Sequence, residues 1–67
     1  MAPHKRLSMR LKTLREARGW TQEQLATKAG YSRAYIARLE IGRHDPPLSA
    51  LERLAKALKV KVATLVE

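Results

Sequence analysis

Apolar residues along this chain fall into short helical phases, and each of the first three phases stops at a glycine. Leu7, Leu11 and Leu14 recur at the spacing that puts side chains on one face of a helix. Ser8 is placed to cap this first helix, and Gly19 ends it. A second helix opens at Thr21-Gln22-Glu23-Gln24. Thr with Gln three residues later is a capping box, in which each side chain satisfies a free backbone N–H. The apolar face that follows, Leu25, Ala26 and Ala29, is narrow and mostly small, so a neighbouring element must pack very close to it. Gly30 closes the helix, with a positive φ expected.

Tyr31-Ser32 forms a turn, and Ser32 caps a third helix that carries Ile36 and Leu39 inward and stops at Gly42. Arg43-His44-Asp45-Pro46-Pro47 is a loop by composition. A Pro suits the first helical turn, so a fourth helix is expected from about Pro47, with Leu48, Leu51, Leu54, Ala55 and Leu58 as its buried stripe. Val60, Val62, Leu65 and Val66 have a spacing that fits either strand or helix. A short fifth helix is expected there, because the rest of the chain is helical. Residues 1–7 read as a flexible basic arm ahead of a domain over residues 8–67.

Two of these helices are short and joined by a tight turn containing Gly30, which makes residues 21–40 a helix-turn-helix unit. Ile36 and Leu39 anchor its second helix and leave the other face free for a groove. Composition sharpens the picture. Sixty-seven residues make one small domain. The hydrophobic share of 45% is that of an ordinary globular chain, so disorder is excluded. There is no cysteine, which removes disulfides and thiolate metal sites. Lys and Arg number 14 against 6 Asp and Glu, a net charge of +8. The sequence pI near 10.7 is the electrostatic footprint of a nucleic-acid binder.

Other classes of function find little support. No apolar run approaches the ~20 residues of a membrane span. The basic start is not followed by a long apolar core, so no secretory signal is read there. His4 and His44 stand far apart with no ligand cluster around them, so no metal site is expected. A lone Asp, no cysteine nucleophile and no carboxylate pair in a cleft speak against an enzyme. No cofactor is expected. Trp20 and Tyr31 read as packing residues rather than base-stacking platforms. Lys5, Arg6, Arg10 and Lys12 read mainly as a solvated face.

The combined pattern Arg18-Gly19-Trp20-Thr21-Gln22, Leu25-Ala26, Gly30-Tyr31-Ser32, Ile36, Leu39-Glu40, Gly42, Pro46, Leu51 and Leu54-Ala55 resembles the phage repressor and Cro-type (XRE) helix-turn-helix family. The resemblance covers about residues 8–66 and implies an all-α, compact five-helix domain that binds duplex DNA as a dimer. Pro47 departs from the pattern, since the family often places Ser or another cap there. By the same resemblance, Gln22 matches a position that clamps a phosphate and braces the recognition helix. Arg33, Ala34 and Arg38 match base-reading positions, with Ser32 and Tyr35 beside them. Arg43 and His44 match backbone-contacting positions. Arg15 and Glu40 match a buried ion pair tying the first helix to the third.

Helix geometry agrees with most of this. With Ile36, Leu39 and Glu40 inward, Ala34 and Arg38 point most directly away, and Tyr35 lies on a flank. Arg33 sits at the helix N-terminus, the end that enters the major groove first. For Tyr35, a half-buried structural role and a DNA contact are equally open.

Val62, Leu65 and Val66 supply more apolar surface than a chain end needs, which marks them as a dimer interface. The expected function is a sequence-specific, cytoplasmic, nucleoid-associated transcription regulator, acting as a homodimer on a palindromic operator. Small phage-type repressors and restriction-modification controllers both fit. The other reading is a protein-interaction module such as a toxin-neutralising antitoxin, with RNA polymerase or a toxin as protein partner. Arginine at Arg33 and Arg38, where a protein-binding face would be apolar, favours DNA.

Overall fold

The computed structural model describes residues 3–67, with side chains from Arg6 onward. Among the described residues the chain forms helices α1 (Pro3–Ala17), α2 (Gln22–Ala29), α3 (Arg33–Glu40), α4 (Leu48–Leu58) and α5 (Val62–Val66), and no strand. They enclose one core in which Leu11, Leu25, Ile36, Leu39, Leu54, Leu58 and Leu65 are fully buried.

α1 starts earlier than its sequence pattern suggests. Its helix begins at Pro3, so residues 3–7 of the expected arm are helical and Ser8 lies inside the helix, buried, rather than at its cap. A proline at the first helical position loses no hydrogen bond, because that N–H has no partner in any helix. No breaker follows before Gly19. Met1 and Ala2 lie outside the described residues.

The α2–turn–α3 unit forms as its caps dictate. Thr21 Oγ1 accepts from Gln24 N at 3.1 Å, and Gln24 Oε1 accepts from Thr21 N at 2.8 Å. At the far end Gly30 takes φ 79°, and the N–H of Tyr31 returns to the Ala26 carbonyl at 2.8 Å. That left-handed residue is what turns the chain sharply enough for α3 to cross α2. Ala26 and Ala29 are buried at the crossing, where small side chains allow the close approach. Ser32 then caps α3 by accepting from Tyr35 N at 3.1 Å.

α4 corrects two details of the expected stripe. Leu48 is its first helical residue and is largely exposed, lying ahead of the turns that pack on the core. Ala50 is buried in its place, four residues before Leu54 and eight before Leu58. α4 ends at Lys59, a non-glycine residue in the left-handed region with φ 58°. α5 then folds back against α1. Thr64 of α5 and Glu67 just after it present main-chain oxygens to Arg10 Nη1 at 3.0 Å and Arg6 Nη1 at 2.9 Å. Arg6 and Arg10 therefore tie the first helix to the last, rather than forming only a solvated face.

Candidate nucleic-acid interface

The reading face is built outward from a buried carboxylate. Glu40, at the end of α3, receives Arg15 Nε on Oε2 at 2.7 Å and Arg15 Nη2 on Oε1 at 3.1 Å. Both side chains are nearly removed from solvent, with 11% of Arg15 and 3% of Glu40 exposed. The hydrogen bond to the Glu40 carboxylate raises the Arg15 guanidinium above its ordinary pKa. Arg15 Nη1 also donates to the Trp20 carbonyl at 2.6 Å, which fixes the turn between α1 and α2. The paired geometry is the strong, direction-specific form of an ion pair.

Gln22 joins the same carboxylate from α2, with Nε2 donating to Glu40 Oε1 at 3.1 Å. One carboxylate thus gathers α1, the start of α2 and the end of α3. Gln22 is half-buried and keeps its carboxamide at the α2 N-terminus, where the helix dipole favours an anion.

On α3, Ala34 and Arg38 are exposed on the side away from Ile36 and Leu39, and Arg33 is exposed at the helix N-terminus. Ser32 is exposed too, but its hydroxyl oxygen is occupied as the helix cap. Arg43, just past the helix, is exposed. Exposed guanidinium groups gathered on and just after one helix leave a positive field there, the complement of a phosphate backbone.

Tyr35 is half-buried. Its ring stacks on Tyr31 with centroids 4.7 Å apart, and His44 meets it edge-on at 5.0 Å. Burial pushes its phenol above the ordinary value, with the nearby Arg38 pulling the other way. The ring therefore holds the loop after α3 against the turn before it. His44 is half-buried in that stack. Trp20 is likewise half-buried, with Lys28 and Arg18 over its ring at 4.9 Å and 5.6 Å.

The three expected interface residues on α5 have different fates. Leu65 is fully buried in the core, so it offers no surface to a second chain. Val62 is half-buried against the same core. Val66 alone is well exposed, at 47%. The pattern could not separate them, because a five-residue helix gives one turn and no clear phase. The structure adds Met9, 60% exposed on α1, and a shallow groove lined by Met9, Arg10, Thr13, Leu14 and Thr64.

Among the described residues no group of three His, Cys, Asp or Glu side chains could hold a metal ion, and no helix is long and apolar enough to cross a membrane. A family model described as a helix-turn-helix domain matches residues 6–67. The chain belongs to the helix-turn-helix domain family. Its helix-turn-helix is similar to that of an immunity repressor protein from Bacillus phage phi105, with 45% identity over 60 residues. That match covers 90% of this chain and 42% of the repressor, so the chain spans less than half of the relative's length. The restriction-modification controller protein C.AhdI from Aeromonas hydrophila has the same fold, with a TM-score of 0.92 and 34% identity over 96% of this chain and 93% of that one. The controller protein C.Esp1396I, solved as a tetramer in complex with its natural 35 base-pair operator, matches with a TM-score of 0.87 and 29% identity, covering 97% of this chain and 86% of that one.

Proposed function

We propose that this helix-turn-helix chain is a sequence-specific transcription regulator that binds duplex DNA as a homodimer on a palindromic operator. The observation that carries this reading is α3 itself, where Arg33 at the leading end and Ala34 and Arg38 on the outward face stand exposed. α3 enters the major groove N-terminus first, with Arg33 leading. Arg33 and Arg38 offer paired donors to guanine O6 and N7. Gln22, Arg43 and His44 lie at the edges of this face and hold phosphates, which position the protein without reading bases.

The second copy meets the chain across a face of α1 and α5, where Met9 lines the groove and Val66 leaves apolar surface exposed on α5. A two-fold dimer puts each residue of that face against its own counterpart region, and a two-fold operator mirrors it. The same basic surface would keep the regulator with the nucleoid of a prokaryotic cell. RNA polymerase beside the operator, or a toxin protein, is the further partner that this reading admits.

The experiment is selection of bound duplexes from a random pool, followed by titration of the selected duplex at several salt concentrations. A two-fold symmetric sequence should emerge. With about six phosphates neutralised, log K should fall against log salt with a slope near −5. No enriched sequence and a flat salt response would overturn the reading in favour of a protein-binding module.

A further inference from the structure

Among the described residues the large apolar side chains left exposed are Met9, Ile41, Leu48 and Val66. Met9 and Val66 lie on the α1–α5 face, and Leu48 opens α4. Ile41 has no such setting. It is 64% exposed and follows Glu40 directly, between the exposed Arg38 and Arg43 in the chain.

It is the C-cap of α3, the residue that follows the last helical one. The Ile41 N–H still donates to the Ala37 carbonyl at 3.2 Å, so its Cα continues the helical spiral, while ψ of 1° takes the chain out of the helix after it. At 3.6 residues per turn, a residue seven positions on lies within about 20° of the first. Ile41 therefore shares the direction of Ala34, with Arg38 between them along the same stripe. The Cα–Cβ bond of a helical residue tilts toward the N-terminus, so Ile41 leans back over the turn that carries Arg38. The outward face of α3 thus runs one residue class further than the helix's polar positions: methyl, guanidinium, branched alkyl.

An isoleucine can give nothing to a phosphate or to a base-edge acceptor. In the major groove the apolar feature available to it is the C5-methyl of thymine. We propose that Ile41 is a specificity-determining residue that reads a thymine C5-methyl in each half-site. Three residues of helix advance by about 4.5 Å, slightly more than one base-pair step of ~3.4 Å. The thymine therefore lies one to two base pairs along from the guanine taken by Arg38. This rests on the DNA-reading role of α3 proposed above.

The test uses the selected operator duplex, with each thymine replaced in turn by deoxyuridine, symmetrically in both half-sites. The base edge is unchanged apart from the methyl group. Wild-type protein should lose affinity about fourfold per half-site at one position, the worth of one buried methyl-sized group. Ile41→Ala should bind the thymine and uracil forms of that position alike, while keeping the guanine preference. Arg38→Ala should lose the guanine preference and keep the uracil penalty. Helix content and melting of Ile41→Ala should match wild type, because the side chain is exposed. If every uracil penalty persists in Ile41→Ala, the assignment is wrong although DNA reading stands. If selection yields no operator at all, both readings fall.

Discussion

Arg15 holds Glu40 through two hydrogen bonds across the interior of the domain, joining α1 to the end of the helix proposed to read DNA. The pair is buried, so removing one side leaves a charge stranded without water. Breaking such a pair costs about 3–5 kcal/mol. In a domain of this size about 1 kcal/mol moves the melting temperature by roughly 4–8 °C. Glu40→Ala should therefore lower melting by more than about 12 °C in a calorimetric or circular-dichroism scan. A change of a degree or two would mean that the pair contributes nothing net.

The carboxylate of Glu40 also receives Gln22, which gives Gln22 a structural as well as a proposed phosphate role. Gln22→Ala should lower stability by about 1 kcal/mol, the net worth of an ordinary hydrogen bond. It should weaken binding to all duplexes by a similar factor. Arg33→Ala and Arg38→Ala should behave differently, each costing about 1–3 kcal/mol on the operator and flattening the preference at one base position. Random-pool selection with each variant separates the two patterns. An unchanged preferred sequence in both arginine variants would show that they touch only phosphate.

Leu65 and Val66 are neighbours with opposite exposures, and the same substitution should split them. Leu65→Glu places a carboxylate in the sealed core and should unfold the domain. Val66→Glu should leave helix content intact and shift sedimentation toward monomer. A Val66→Glu protein that stays dimeric would move the interface off the α1–α5 face.

Lys59 ends α4 in the left-handed conformation that favours glycine. A side chain there costs on the order of 1 kcal/mol. Lys59→Gly should raise the melting temperature by several degrees, which a thermal scan would detect. No gain would mean that the aliphatic part of Lys59 contributes packing of equal worth.

The parts of the fold legible in the sequence are those governed by local rules. Thr21 with Gln24, Gly30 and Ser32 mark α2, its turn and α3 by chemistry that acts within a few residues. Ile36 and Leu39 fix which side of α3 faces in. The Arg15–Glu40 pair came only through resemblance, since nothing local connects two residues 25 positions apart. The early start of α1 has no capping signal in the sequence; Leu7 and Ser8 are buried and Arg6 meets Glu67, contacts that exist only in the folded chain. The end of α4 was hidden because Lys59 takes a conformation that its residue type does not announce. Ile41 carries no signal in the sequence, because Gly42 marks the helix end; its place beyond Ala34 and Arg38 rests on the cap hydrogen bond to Ala37.

The two arginine contacts onto α5 have a kinetic consequence. A five-residue helix is far below the length of about 12–15 at which a helix stands alone, and no side chain caps its start. Its order is borrowed from Leu65 in the core and from Arg6 and Arg10, across sequence separations of 61 and 54 residues. Such a segment closes late in folding and opens first, well below the free energy of global unfolding. In the proposed dimer Val66 rides on that segment. The subunits would then part by unfastening α5 rather than by sliding apart intact, and their exchange would quicken on heating as steeply as an unfolding reaction does.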